Sequence, residues 1–230
     1  MVTSHSKEVA NAGAGYSGIS VVPTPLPCRG VYRSVGKRLF DIAFALLAAP
    51  FVVPFVLMLA AFLAFQGVTP FYRQERLGKN GKAFKMIKLR TMVHDAENVL
   101  QEHLKENPEA REEWNRDQKL RNDPRIIKFG TFLRKSSMDE LPQFWNVFVG
   151  EMSVVGPRPM MVCQKELYPN NMYYRMRPGI TGSWQVSNRN NSTFAERAQH
   201  DVEYWKDMSL KTDMHILFRT IFAVLRGTGC

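Results

Sequence analysis

From Ile42 to Phe65 the chain runs 24 residues without a charge, almost all of them Ala, Leu, Val, Phe or Ile. About 20 such residues are enough for a helix to cross the hydrocarbon core of a bilayer. A simple crossing meets two obstacles. Pro50 and Pro54 fall inside the run, and an interior proline removes a backbone hydrogen bond at a cost of about 3 kcal/mol. Both flanks are also basic, with Arg29, Arg33, Lys37 and Arg38 before the run and Arg73, Arg76, Lys79, Lys82 and Lys85 after it. Positive charge belongs on the cytoplasmic side, and a single span satisfies that at one end only. A helix that enters the inner leaflet, turns at the prolines and returns satisfies both ends, provided its freed backbone groups find partners. A straight span and a buried core helix are the alternatives. Asp41, at the mouth of the run beside Lys37 and Arg38, pairs with a cation or caps the helix on this reading.

The expected organisation is therefore a disordered leader over residues 1–30, a re-entrant membrane helix over 31–70 and a membrane-associated catalytic domain over 71–230. The leader is rich in Gly, Ser, Ala and Pro and lacks the apolar segment of a signal peptide. A net charge of +10 and a pI near 9.7 call for an anionic partner. No recognition helix or aromatic stacking platform accompanies that charge, so nucleic acid is disfavoured, and acidic lipid or a phosphorylated substrate remains. Cys28, Cys163 and Cys230 are too few and scattered for a disulfide framework or zinc site, as expected of a reducing cytoplasm.

Beyond the apolar run the pattern is α+β and mostly helical. Residues 71–90 read as a β-hairpin turning at Gly78-Lys79-Asn80-Gly81, with Lys85 on one face of its second arm and Phe84 and Met86 on the other. Lys88 and Arg90 close the hairpin and are candidates for binding. Residues 92–120 read as exposed charged helices broken at Pro108, and Asn122-Asp123-Pro124-Arg125 as a turn. Arg175 to Gln185 form a glycine-punctuated loop with two arginines and Trp184, suited to the close approach of a nucleotide or to an ordinary turn around a core tryptophan. Met214, Leu217, Phe218, Ile221, Phe222 and Leu225 follow helical spacing, with Lys211, Arg219 and Arg226 placed to meet headgroups. That helix lies on the bilayer or packs against the domain.

The chemistry centres on Arg134-Lys135-Ser136-Ser137-Met138-Asp139-Glu140-Leu141-Pro142. Pro142 is tolerated only at the start of a helix, so Asp139 and Glu140 sit beside a helix N-terminus. Ser137 and Glu140 have the spacing of a capping box, which alone would account for the acids. The same positive helix end, with Arg134 and Lys135, would instead lower a carboxylate's pKa and hold phosphate. Side chains on adjacent helical residues diverge, so one acid would act as nucleophile and the other as a Mg²⁺ ligand. Oxygen donors without a Cys/His cluster favour Mg²⁺ over zinc.

With Lys37-Arg38-Leu39-Phe40-Asp41, Lys88-Leu89-Arg90-Thr91-Met92, Asp139-Glu140-Leu141-Pro142, Pro157-Arg158-Pro159 and Arg177-Pro178-Gly179-Ile180-Thr181-Gly182, the chain resembles the bacterial sugar transferases. These are monotopic phosphoglycosyl transferases that start polysaccharide assembly. The resemblance runs from about Lys37 to the C-terminus and implies a re-entrant helix at the cytoplasmic face of the bacterial inner membrane. It implies transfer of a sugar 1-phosphate from a UDP-sugar to undecaprenyl phosphate, with release of UMP, as the first membrane step of exopolysaccharide synthesis. It makes Asp139 the nucleophile and Glu140 the Mg²⁺ ligand. Lys88, Arg90, Arg134, Arg158, Arg177 and Thr181 become the substrate-binding set, amid anionic inner-leaflet lipid. Where some relatives have Ser-Pro at the helix break, this chain has Ala49-Pro50, and the form looks like the minimal catalytic one. A non-catalytic basic membrane adaptor is the rival reading. The sugar (galactose or glucose by resemblance) and any homodimer are left open.

Overall fold

The computed structural model describes residues 30–117, 120, 122–187 and 194–225. The expected leader up to residue 29, together with Arg226, lies outside them. A π-helical turn, Tyr32–Gly36, leads directly into α1, Lys37–Phe65. The apolar run is thus one helical element containing both prolines, with no loop separating two halves. Pro50 and Pro54 are four residues apart and both exposed, so their missing N–H groups open the ladder on the face turned away from the rest of the protein. One stripe is buried at the two ends of the helix, Lys37, Asp41 and Ala45 early and Val56, Leu59, Ala60 and Leu63 late, with no buried residue between Ala45 and Val56.

That stripe meets one body at both ends. Ala45 joins Val147, Val155, Tyr204 and Ile216 in one cluster, with Phe40 and Phe44 packed against it. Leu59 and Leu63 join Leu89 and Leu133 in another, and the Phe62 ring lies 4.6 Å from that of Phe129. The opposite face stays uncovered, with Leu47 76% and Phe51 79% exposed.

Charged residues at the start of α1 are internal staples. Asp41 is fully buried and accepts from Ser153 Oγ at 2.9 Å, Val154 N at 3.0 Å and Lys37 Nζ at 3.3 Å. Lys37 also pairs with buried Asp213 at 2.8 Å, which accepts from Tyr204 at 2.7 Å. Arg38 donates to the carbonyls of Val147 and Phe148 at 2.6 and 2.8 Å. The pairing expected of Asp41 is present, while Lys37 and Arg38 face protein instead of headgroups. Removing one member of a buried ionic network strands the others. Asp41→Ala is expected to lower unfolding free energy by on the order of 3 kcal/mol, with Asp41→Asn losing less, as read by denaturant unfolding in detergent.

The remainder is mostly helical with two small sheets. Strands β1 (Phe71–Leu77) and β2 (Ala83–Leu89) form the expected antiparallel hairpin, Phe71 opposite Leu89 and Leu77 opposite Ala83. Its tip needs left-handed backbone at Asn80 and Gly81, which these residue types adopt at low cost. Helices α2 (Ala96–Glu106) and α3 (Pro108–Asp117) divide at Pro108, and Asp123 grips Arg125 in the turn that follows, at 2.7 and 2.8 Å. Helices α4 (Lys128–Lys135) and α5 (Gln143–Val149) then bracket the acidic pair.

Strand β3 (Ser153–Val155) pairs in parallel with β4 (Gly179–Thr181), joining two of the sequence motifs. Helices α6 (Phe194–Asp207) and α7 (Leu210–Leu225) close the chain. On α7, Asp213, Ile216 and Leu217 face the protein, while Met214, Phe218, Ile221, Phe222 and Leu225 are exposed. Packing therefore claims one side of that helix and leaves the other apolar and bare. The pattern continues on α5, where Trp145, Phe148 and Val149 are exposed.

Candidate active site

Helix α4 ends where Ser137 takes a left-handed backbone, φ 56°, an uncommon state for a residue with a side chain and one that clusters at functional sites. The turn throws the chain into a short 3₁₀ segment, Met138–Glu140, ahead of α5. Ser137 makes no side-chain cap, and Pro142 occupies the N-cap position of α5. The capping-box reading of Ser137 and Glu140 is thereby overturned: a left-handed Ser137 does not turn its hydroxyl onto the following N–H groups.

Asp139 is 8% exposed and Glu140 half-buried. Lys88 reaches both, with Nζ 2.7 Å from Glu140 Oε1 and 3.8 Å from Asp139 Oδ2. Strand alternation puts Lys88 on the same side of β2 as buried Phe84 and Met86, so it is a lysine on an inward face. Arg134, on the last turn of α4, is oriented by an Nε hydrogen bond to buried Thr91 at 2.9 Å. Burial holds the Asp139 carboxyl above the ordinary aspartate range; Lys88 opposes the rise, Glu140 adds to it and Arg134 again opposes. The expectation of a lowered pKa fails because desolvation of the carboxylate outweighs the cations around it.

Asp139 and Glu140 form one wall of a cleft of about 680 Å³. Arg134, Arg158, Thr181 and Gln185 share its polar part, and Phe44, Phe55 and Phe144 with Met214, Phe218, Ile221 and Leu225 of α7 make much of the rest. Arg158 lies over the Trp184 ring at 5.7 Å, and Arg197 lies at the same distance from that ring while donating to the Arg158 carbonyl. Thr181 Oγ1 is 2.7 Å from Thr220 Oγ1, tying β4 to α7. The polar mouth thus offers a desolvated carboxylate flanked by cations, and the apolar end opens between α1 and α7.

Of the expected residues, the fold brings together Asp139, Glu140, Lys88, Arg134, Arg158 and Thr181. It does not bring Arg90 or Arg177 to the cleft. Arg90 donates to Thr69 O at 3.1 Å and sits over Tyr72. Arg177 donates to Gly150 O at 2.8 Å and lines a different crevice beside Asp41. Sequence reasoning missed Thr91, Gln185 and Arg197. Thr91 lay inside a quoted motif as a small polar residue two positions beyond β2; Arg197, mid-helix among other charges, carried no local signal.

The glycines of the two loops serve a purpose other than ligand approach. A Cβ on Gly179 would lie 2.2 Å from Gly156 N, and one on Gly182 would lie 2.0 Å from Gly156 O. The two loops touch backbone to backbone, and that contact is what presents Arg158 and Thr181 together.

No group of three or more His, Cys, Asp or Glu side chains poised for a metal occurs among the described residues. Glu140, the expected ligand, is a single carboxylate, a donor set that fits Mg²⁺ brought in with phosphates, since that ion is commonly held by one or two carboxylates plus substrate oxygens.

The fold and its cleft define a small α+β domain mounted on one long apolar helix, with an acid–cation pocket where the two meet. The bacterial sugar transferase family model matches residues 32–227, and the chain belongs to that family. It is 45% identical over 195 residues to the UDP-galactose-lipid carrier transferase of Erwinia amylovora, covering 84% of this chain and 41% of the relative. It is 44% identical over 206 residues to the exopolysaccharide production protein ExoY of Sinorhizobium fredii, covering 87% and 91%. The undecaprenyl-phosphate galactose phosphotransferase of Salmonella typhimurium is 43% identical over 195 residues, covering 84% and 41%. The chain thus spans about two fifths of two of these relatives and nearly all of the third.

Proposed function

We propose that the protein transfers a sugar 1-phosphate from a UDP-sugar to undecaprenyl phosphate, releasing UMP, through a covalent phosphosugar on Asp139. The observation that carries this reading is Asp139 itself, buried between Lys88 and Arg134 in a cleft polar at one end and apolar at the other. In the first step Asp139 Oδ attacks the phosphorus bearing the sugar, and the bond from that phosphorus to the bridging oxygen breaks. UMP leaves with the oxygen. In the second a phosphate oxygen of the lipid attacks the same phosphorus, the acyl-phosphate bond breaks, and the carboxylate returns. Arg134, Lys88 and Arg158 would hold phosphate oxygens, and Thr181 the neighbouring polar contacts. Mg²⁺ held by Glu140 would neutralise phosphate charge.

The apolar end of the cleft suits an isoprenoid chain, and the relatives' names supply the lipid carrier and the hexose. A mixture of UDP-galactose or UDP-glucose, undecaprenyl phosphate and Mg²⁺ is expected to yield UMP and a lipid-linked sugar in equal amounts. A purified, folded protein that yields neither across a sugar-nucleotide panel is an adaptor.

The same proposal places α1 in the cytoplasmic leaflet of the inner membrane without crossing it. A straight crossing would carry Phe62 and Leu63 to the far side, yet these pack on Phe129 and Leu133 of the domain that holds the charged site. Single cysteines at positions 30 and 66 are expected to label equally from the cytoplasm and not at all from the periplasm. Labelling of one from the periplasm overturns the topology.

Burial of Asp139 sets a pH dependence, which Lys88 opposes. Attack needs ionised Asp139, so activity falls as pH drops through its raised pKa. Lys88→Met removes a cation that opposes the rise, and the acidic limb of kcat/KM is expected to move to higher pH. An unmoved limb with a lower plateau assigns Lys88 to substrate contact alone.

A further inference from the structure

Thr181 on β4 and Gln185 in the turn after it both line the cleft. Backbone bonds hold that turn, with Val186 N donating to Gly182 O and Ser187 N to Trp184 O, each at 3.2 Å. Thr181 is 5% exposed and Gln185 8% exposed, so bulk water does little to satisfy either. The partners of Thr181 fix where its proton goes. Thr220 Oγ1 lies 2.8 Å from Ile216 O, and a carbonyl only accepts, so the Thr220 proton is used there. In the 2.7 Å contact between the two hydroxyls Thr181 must then be the donor. Its oxygen is left with lone pairs to offer. Gln185 Oε1 is buried with no hydrogen-bond partner among the described residues. It rests against Gly182, where a Cβ would come within 2.8 Å of it. A buried acceptor in that state calls for a donor.

Phosphate oxygens are acceptors at neutral pH, and Lys88, Arg134 and Arg158 are the groups that match them. Set against Thr181 or Gln185 Oε1, a phosphate oxygen meets another lone pair and leaves the buried acceptor unpaired. We propose that Thr181 and Gln185 form a neutral subsite, which takes an uncharged O–H or N–H group of the sugar nucleotide and not its phosphates. The assignment rests on the cleft being the site of the transfer proposed above, and it divides the labour there. Cations hold the diphosphate, and two acceptors read a group that differs between donors. The hexose is bonded to the phosphorus that Asp139 attacks, so its hydroxyls enter the same cleft; the nucleoside is the other source of such a group. Reading by hydrogen bond is selective, because an analogue lacking the group strands the acceptors.

The test is equilibrium binding to the full chain in nanodiscs, in an Asp139→Asn background where turnover does not consume the ligand. The probes are UDP-galactose, UDP-glucose, UMP and inorganic pyrophosphate, each with Mg²⁺. Gln185→Leu and Thr181→Val are each expected to weaken the tighter-binding UDP-hexose about tenfold and to leave pyrophosphate unchanged. Gln185→Leu replaces an amide whose oxygen has no partner by an apolar group of similar size, so thermal unfolding should hold or rise. Thr181→Ser keeps the oxygen and should restore binding to within a few-fold. An unchanged affinity for UMP puts the contact on the hexose, and an equal loss for UMP puts it on the nucleoside; either supports the subsite. Pyrophosphate weakened as much as the UDP-hexose, a serine variant as weak as the valine one, or variants that bind every probe as the parent does would overturn it. UMP release by the wild type is measured separately. A protein that shows these shifts but releases no UMP keeps the subsite and loses the transfer, and one that binds no UDP-hexose loses both.

Discussion

Asp139→Asn is expected to abolish transfer, with a loss of at least about ten-thousandfold in UMP release, since an amide cannot replace the attacking carboxylate and the neighbouring acid, Glu140, is engaged by Lys88. Mass spectrometry of wild type given UDP-sugar without acceptor should show an adduct of one sugar phosphate, and the variant should show none. Binding of the UDP-sugar should stay within a few-fold, because Lys88, Arg134 and Arg158 remain in place. Stability should move the other way. Burial disfavours the charged form of Asp139 in the folded protein, so the neutral amide relieves a desolvation cost and the melting temperature should hold or rise. A variant that keeps a rate within tenfold of wild type would remove Asp139 from the reaction and leave the cleft as a binding site.

Gly179→Ala carries the largest effect on folding. Its Cβ would lie 2.2 Å from Gly156 N and 2.3 Å from Thr181 O, both backbone atoms with no flexible side chain to yield. A loss of at least about 3 kcal/mol follows, with β3 and β4 forced apart. Because Arg158 follows Gly156 and Thr181 belongs to β4, activity should fall with stability in the same denaturant series. A fully stable Gly179→Ala with normal turnover would show that the two loops need no contact.

The two substitutions mark how much of the site was legible. Asp139, Glu140 and their cations were readable because acids, bases and a helix-starting proline lie within nine residues. The sign of the Asp139 shift was not, since it depends on how much protein covers the carboxylate. Glycines spaced as in a nucleotide loop suggested ligand approach, yet close packing of the two loops uses the same residue type for the same lack of a Cβ. Arg177 and Arg158 look alike in sequence, and only the pairing of β3 with β4 sends one to the crevice and the other to the cleft. The basic flank of the apolar run was read as a sign of the cytoplasmic side, but Lys37 and Arg38 are drawn inward by Asp41, Asp213 and the carbonyl end of α5.

By itself the chain's order of residues determined the apolar helix, the hairpin, the division at Pro108 and the acidic turn after α4. Each depends on neighbours within a few positions: run length, alternation, a left-handed tip, a proline. Tertiary structure alone decided that both ends of α1 rest on one body, that Lys88 bridges two acids 51 and 52 residues away, and that Thr181 and Gln185 line the same cleft as Asp139. Burial and charge pairing between distant segments are properties of the packed whole, and no local pattern encodes the depth at which a carboxylate will sit.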